Sequence, residues 1–579
     1  MLERVPWWGR SLLGAACAVL GAVLTFRPFT SLSVLIALVA AGAFLMGLTS
    51  VAGRRHTEHR STALATGVVW LAVGVLVLVW PDITTCSLAV VVGLALIVGG
   101  VLDVAAAVRG SIDERLAAAV GGVTSAIFGV LALSWPSVTV LVIAVVFGFR
   151  LVVFGFRLTW SSLRDRGRMH EPAATQPRGR VRRFAHLVGS VAGLAVALAL
   201  AGLSATFNRG EPVVDAFYDT PASLPSEPGR LLRFEAFTRT IPANAEAWRV
   251  LYTTTRSDGV PAVASALVVV PADRSASALP VIALAHGTTG IDRSCAPSVL
   301  PGPFAAGAFY ALDQVIDAGW ALVATDYVGL GTEGGHPYMV GQAAGRSVLD
   351  SVRAARQLPA IELADDTVVW GHSQGGGAAL WTGGLARTYA PEVGVIGVAA
   401  LAPASDLVGL ADTFTEVIGG SIFASFLLQG YADAYNDVAV ADYVNPVARP
   451  SFDGVVGRCL AEPAALLSVI ESLATGQQMF STDLASGPLL DRLAENVPTL
   501  PIDAPLLLAQ GDTDGLIVPA MQGAYVAARC ADGQAIDYRT YPGLGHVPLV
   551  EADSPLIPDL FDWTRDRFDR ADYVATCGE

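Results

Sequence analysis

The sequence predicts two parts: an all-α polytopic membrane domain of about seven transmembrane helices, then an α/β domain with a mostly parallel sheet and a helical cap. Three observations carry this reading. Apolar segments of near-spanning length recur through the first two hundred positions. Beyond about 248, short apolar runs alternate with helical ones. Among these, W-G-H-S-Q-G-G at 370–376 sets a serine between glycines directly after the apolar T-V-V.

Composition agrees with the division. Of 579 residues, 53% are hydrophobic and the mean hydropathy is +0.53, too apolar for an ordinary soluble chain. Residues 1–210 hold 18 arginines against 8 carboxylates, a balance of +10, whereas the remainder holds 19 against 43, or −24. All 37 basic residues are arginine. An acidic domain beside a basic, apolar one excludes nucleic acid as a partner class, because that partner wants a positive face.

The apolar segments lie near 9–26, 31–52, 62–80, 85–107, 116–134, 137–158 and 185–206, each close to the ~20 residues a helix needs to cross hydrocarbon. L-T-F-R-P at 24–28, L-V-W-P at 78–81 and L-S-W-P at 133–136 end three of them alike, so Pro28, Pro81 and Pro136 mark three copies of a helical hairpin. Tryptophan beside the turn suits the water–lipid boundary. The opposite ends carry Arg4 and Arg10, then Arg54, Arg55 and Arg60, then Arg109 and Arg115, and the stretch after 160 adds seven more, while the Pro turns hold only Arg27. Arginine accumulates on the cytoplasmic side, so the N-terminus is expected inside and everything after about 210 outside, in an integral plasma-membrane protein. A signal peptide is rejected because hairpins follow the first helix directly. Asp103 reads as an interfacial carboxylate. The repeated hairpin with its W-P turn resembles the HdeD-like family of membrane proteins over roughly 5–160, which implies topology and little chemistry. The expected boundaries are 1–160 for the hairpins, 161–183 for an Arg-rich cytoplasmic linker, 184–206 for the seventh helix and 212–579 for the outer domain.

In that outer domain W-R-V-L-Y-T-T-T and A-S-A-L-V-V-V-P read as strands joined by R-S-D-G. L-P-V-I-A-L-A-H-G, W-A-L-V-A-T-D-Y, T-V-V-W-G, V-I-G-V-A-A-L-A-P and P-L-L-L-A-Q-G are buried strands separated by helical stretches. The helical interruption at about 407–500 is too long for a loop and reads as an inserted cap.

G-H-S-Q-G follows a strand and opens a Gly/Ala-rich helix, the setting of a nucleophile elbow in an α/β-hydrolase. Five residues alone are a weak signal in a chain with 59 glycines; the strand–elbow–helix context strengthens it. A serine hydroxyl needs a base, and in this architecture acid and histidine follow in that order. His546, in Y-P-G-L-G-H-V-P, is the only histidine after Ser373. G-D-T-D offers Asp512 and Asp514. Asp514 is preferred, because the third position past the strand-ending glycine projects toward the histidine, leaving Asp512 to cap the turn. The oxyanion hole draws on the amide of Gln374 and on Thr288 or Thr289 of A-L-A-H-G-T-T-G. His286 braces that loop, His336 reads as pocket wall or structure, and His372 packs under the elbow.

H-G-T-T-G-I-D-R-S-C-A-P-S, D-Y-V-G-L-G, H-P-Y, G-H-S-Q-G-G and F-Y-D-T-P-A-S-L-P-S-E-P-G-R-L-L-R together resemble the secretory lipase family, the lipase-A-like branch of α/β-hydrolases, over roughly 212–570. The resemblance implies carboxylic-ester hydrolysis, often of lipid esters, with a helical cap over an acyl tunnel and a triad on Ser373, Asp514 and His546. The family is typically secreted free, whereas this chain reads as tethered. Cys295, Cys459, Cys530 and Cys577 fall in the outer domain, an even number suited to an oxidising compartment. Four cysteines allow three pairings; the resemblance favours Cys295 with Cys459, leaving Cys530 with Cys577. Cys17 and Cys86 read as small apolar residues. No cofactor and no catalytic metal is expected, and the expected partners are an ester or lipid substrate and the bilayer. In the cap, V-I-G-G-S-I-F-A-S-F-L-L either lines an acyl site or packs the cap on the sheet. Two rival functions use other logic: transfer of the acyl group to a cell-envelope alcohol by the same residues, and non-catalytic binding of apolar ligands.

Overall fold

Beyond residue 230 the apolar runs assemble into one nine-stranded sheet, seen in a computed structural model that describes residues 7–26, parts of 33–51, 60–79, 81–106, 112–164, 179–208, 212–273, 278–417 and 419–577. The strands are β1 Leu231–Ala236, β2 Ala245–Thr255, β3 Pro261–Pro271, β4 Leu279–Ala285, β5 Ala321–Thr325, β6 Leu363–His372, β7 Val395–Leu401, β8 Leu506–Gly511 and β9 Asp537–Tyr541. Their order is β1-β2-β3-β5-β4-β6-β7-β8-β9. β1, β2, β3 and β5 pair antiparallel, and the run from β5 through β4 to β9 is parallel. R-S-D-G turns β2 into β3, with the Val260 amide donating to Asp258 Oδ1 at 3.0 Å and Gly259 at φ +83°. β1 was not among the strands read from the sequence; its residues are half-buried or exposed and lack the apolar signature of the central strands.

Central strands are covered on both faces, so their runs are continuously apolar. On one face Trp370 of β6 meets Trp320 at 6.2 Å and Phe561 at 5.3 Å between ring centroids, beneath helices Leu312–Asp317 and Leu556–Phe568. Trp370 is 1% exposed, and its Nε1–H donates to Thr564 Oγ1 at 3.1 Å. A buried indole that keeps a partner loses little by burial, and truncating it to alanine should cost about 3–5 kcal/mol. Helices Gly341–Ala355 and Gln374–Tyr389 pack against the sheet and each other, the first burying Val348, Val352 and Ala355 along one stripe. Between β7 and β8 the chain is helical, at Leu407–Glu416, Gly420–Ala434, Val440–Tyr443, Arg449–Val456, Ala465–Thr475 and Gly487–Glu495. Helix Gly420–Ala434 carries most of the apolar cap stretch and buries Ile422, Phe426 and Leu427.

The chain falls into two compact units. One comprises Gly210–Tyr443, Val455–Val469 and Thr482–Glu579; the other comprises Met1–Arg209 together with Val444–Gly454 and Ile470–Ser481. The second contains helices Trp7–Thr25, Arg60–Val79, Pro81–Ala106, Ile112–Ser134, Pro136–Arg164 and Gly179–Asn208. Among the described residues three helical segments, Trp7–Thr25, Ser87–Ala105 and Pro136–Leu163, are long and apolar enough to cross a membrane. Pro81 and Pro136 stand at the first position of their helices, where the missing N–H costs nothing. Helix Trp7–Thr25 runs antiparallel against Pro136–Arg164, and Gly14 faces Gly155 as Gly21 faces Gly148, too close for a Cβ on either side. Small residues permit such approach, which in lipid is a main source of helix association. Pro28, Arg4, Arg27, Arg54, Arg55, Arg109 and 165–178 of the expected linker lie outside the described residues.

Candidate active site

β6 delivers Ser373 to the rim of the sheet. Its backbone has φ 59° and ψ −121°, a conformation costly for any residue with a Cβ, and helix Gln374–Tyr389 starts immediately after it. Two close approaches hold the turn: a Cβ on Gly371 would overlap the carbonyl oxygen of Gly375, and one on Gly375 would overlap that of Ala285. The Ser373 amide donates to Leu401 O at 3.0 Å, and its carbonyl accepts the Ala404 amide at 3.0 Å. The strained residue is thus clamped between β6 and the end of β7.

Ser373 Oγ lies 2.8 Å from Nε2 of His546, and Nδ1 of the same ring lies 2.7 Å from Asp514 Oδ2. These three residues come from the ends of β6, β8 and β9. Asp514 is 3% exposed. Burial alone would raise its pKa, but the hydrogen bond and charge of His546, with the amides of Leu516 and Ile517 donating to Oδ1 at 2.9 and 2.8 Å, hold it below the usual carboxylate range. Gln510 Nε2 also donates to Asp514 Oδ2, at 3.2 Å. Asp512 points elsewhere: it is exposed and accepts the Gly543 amide at 2.6 Å, capping the turn.

The other three described histidines of this domain are buried and bound to backbone or amide groups. His286 contacts Gly287 O at 2.6 Å through Nδ1, bracing the loop after β4. His336 Nδ1–H donates to Val328 O at 3.0 Å, which leaves Nε2 to accept Gln374 Nε2–H at 3.0 Å. His372 donates from Nε2 to the backbone carbonyl of His546 at 3.0 Å, and the two rings lie 4.6 Å apart. Burial pushes all three pKa values down, to about 4 for His286 and about 3 for His336 and His372, so the rings are neutral.

On the other side of the serine, Thr288 is half-buried and its hydroxyl pairs with Tyr338 OH at 2.7 Å. Thr289 is fully buried, and its carbonyl accepts the Leu460 amide at 2.8 Å. One residue before Leu460, Cys459 is bonded to Cys295, so this loop is covalently joined to the cap; Cys530 is bonded to Cys577. The first is the pairing that the family resemblance favours, and the second is the pair it leaves. Sequence reasoning missed Tyr338 as the partner of Thr288 and Gln510 as a partner of Asp514. It read His336 as pocket wall or structure without naming Gln374 as its partner.

The comparisons with known proteins follow the same division. Residues 308–575 match the family model described as Secretory lipase. Residues 12–64, 65–121 and 120–174 each match one described as a short repeat of unknown function (DUF308), the repeat of the HdeD-like membrane family, one match per hairpin. A Malassezia globosa protein named secreted triacylglycerol lipase LIP7 is 27% identical over 391 residues, covering 63% of this chain and 81% of its own. A Mycobacterium tuberculosis protein named as a probable inactive lipase is 25% identical over 386 residues, covering 62% and 82%. The crystal structure of Candida antarctica lipase A in its closed state superposes with a TM-score of 0.53 at 22% identity, over 63% of this chain and 88% of that one, a likeness of fold.

Proposed function

With a secretory-lipase domain over residues 308–575, we propose that the protein is a membrane-tethered serine hydrolase that cleaves carboxylic esters, lipid esters foremost, through an acyl-enzyme. The observation that carries this reading is the chain from Asp514 Oδ2 through His546 to Ser373 Oγ, 2.7 and 2.8 Å long, ending on a strained elbow. Ser373 Oγ attacks the ester carbonyl carbon while His546 Nε2 takes its proton; Asp514 keeps the other imidazole proton on Nδ1 and steadies the imidazolium. The oxyanion is met by the Gln374 amide and an amide of Thr288 or Thr289. His546 then protonates the leaving alkoxide, releasing the alcohol. Water repeats the sequence on the acyl-serine and frees the carboxylic acid.

The domain order supports an outward-facing hydrolase. Apolar hairpins precede it, arginines gather away from the Pro turns, and two disulfides fit an oxidising compartment. A reporter fused after residue 210 should be active only outside the cytoplasm, and activity inside would reverse the orientation. Because one relative carries a name denoting inactivity, the decisive experiment is turnover. The full chain in detergent is assayed on p-nitrophenyl esters of increasing acyl length, beside Ser373→Ala. The variant should lose about 10⁶-fold in kcat, and turnover surviving the substitution would exclude the assigned nucleophile.

A further inference from the structure

The cap helix Ala465–Thr475 is oriented the wrong way round for water. Leu466, Val469, Ile470 and Leu473 recur at the i, i+3, i+4, i+7 spacing of a single face and are 53, 38, 50 and 61% exposed. On the opposite side Ser468, Glu471 and Ser472 are buried, at 2, 0 and 4% exposure, with Leu467. An amphipathic helix in a water-soluble cap buries its leucines and exposes its carboxylate; this one does the reverse.

What the buried side meets identifies the neighbour of the exposed side. Ser137 Oγ donates to Glu471 Oε1 at 2.8 Å, and both residues belong to the unit formed by the N-terminal helices. Ser137 is the second residue of helix Pro136–Arg164, directly after Trp135 at the W-P turn, the position at which a membrane helix meets the lipid–water boundary. A residue hydrogen-bonded there stands at the same depth. The flank of helix Pro136–Arg164 exposes Val142, Val145 and Val146, so an apolar surface already leads away from that boundary. Glu471 is the only ionisable residue between 465 and 475, and it is covered, so no charge holds the outer face in water. Eleven residues make a helix of about 16 Å, too short to span the ~30 Å core and suited to lie along its surface.

We propose that the 470–475 part of this helix, which shares a unit with Ser137, lies in the interface of the bilayer leaflet at the Pro136 end, with Ile470 and Leu473 among the acyl chains of the membrane that the N-terminal helices span. This inference rests on the membrane-tethered reading above, not on its chemistry.

The test uses the full chain in lipid nanodiscs, with Cys17 and Cys86 replaced by alanine. Leu473→Cys and Ile470→Cys, made separately, carry an environment-sensitive fluorophore, and Asp562→Cys, 70% exposed on the hydrolase domain, is the aqueous control. Both cap labels should be quenched by a doxyl-labelled phospholipid about threefold or more beyond the control and be shielded from aqueous iodide. Iodide quenching equal to the control overturns the proposal. So does shielding from both quenchers, which would mean that a second copy or another protein covers the face. The readout needs no turnover. Lipid quenching with no ester hydrolysis sinks the proposed chemistry alone, and hydrolysis with water-exposed labels sinks this proposal alone.

Discussion

His372, beside the candidate nucleophile, donates its Nε2–H to the backbone carbonyl of His546 at 3.0 Å, so the residue before the elbow holds the loop that brings the base. Burial keeps its pKa at about 3, and it therefore brings no positive charge beside the ring of His546, 4.6 Å away, which the proposed mechanism makes an imidazolium. His372 is thus a positioning residue. His372→Ala should lower kcat about tenfold, the worth of one hydrogen bond of ~1.4 kcal/mol, with KM unchanged. His372→Asn, which keeps an N–H, should recover part of the loss. A fall in melting temperature with kcat unaltered would mean that the contact is structural only.

Asp514 and Asp512 are separable by substitution. Asp514 binds the imidazole and is buried, whereas Asp512 is exposed and caps the 543 turn. Asp514→Asn should leave the imidazole in the wrong tautomer and cost about 10⁴-fold in kcat. Asp512→Asn retains an acceptor for the Gly543 amide and should stay within about twofold, since a changed surface group costs little. Equal losses in steady-state assays would undo the assignment.

Acid should destabilise the hydrolase domain through its buried histidines. His286, His336 and His372 have folded pKa values lowered by burial to about 4, 3 and 3, against ~6.5 in an unfolded chain. A depressed folded pKa contributes stability that is present above the unfolded value and lost as pH falls through the folded one. Between pH ~6.5 and 4 the unfolded chain binds protons that the folded chain refuses, so stability falls by about 1.4 kcal/mol per pH unit for each ring. Urea midpoints between pH 7 and 4.5 measure it. Replacing His336 by glutamine should shallow the slope by about a third, and a flat profile would contradict the burial of these rings.

The juxtaposition of Ser373, His546 and Asp514 was legible because each residue answers to a local rule. The elbow needs glycines around Ser373, His546 is the sole histidine downstream, and Asp514 sits at a fixed step past the β8 glycine. Helices Pro81–Ala106 and Pro136–Arg164 could be located because each begins at the proline of a W-P pair. What was not readable depends on pairing across distance. Tyr338 reaches Thr288 over 50 positions and His336 reaches Gln374 over 38, with no periodicity to mark either. Thr288 and Thr289 share one side-chain chemistry and differ in burial, the first half-buried and the second enclosed, a difference that their adjacent places in the sequence do not show. The cap helix was hidden for another reason: A-L-L-S-V-I-E-S-L-A-T has an ordinary amphipathic pattern, and a pattern alone does not say which face meets solvent.

Gly375 offers the sharpest test of the elbow, because its requirement is steric and not chemical. A methyl group there would overlap the Ala285 carbonyl at the end of β4, and that backbone leads directly into the His286–Thr289 loop. Relief by shifting β4 would break its parallel pairing with β5 or β6; relief by shifting the helix would move the Gln374 amide and the Ser373 backbone with it. Gly375→Ala should therefore cost about 3 kcal/mol or more, at the upper end for overpacking, and should abolish ester turnover in whatever fraction folds. Gly523→Ala, at a helical position with open space around the new methyl, should instead gain up to ~1 kcal/mol with turnover intact. Thermal unfolding of the two variants beside the parent reads the contrast directly, and a Gly375→Ala protein of parental stability and activity would show that the serine does not stand on the tight turn described.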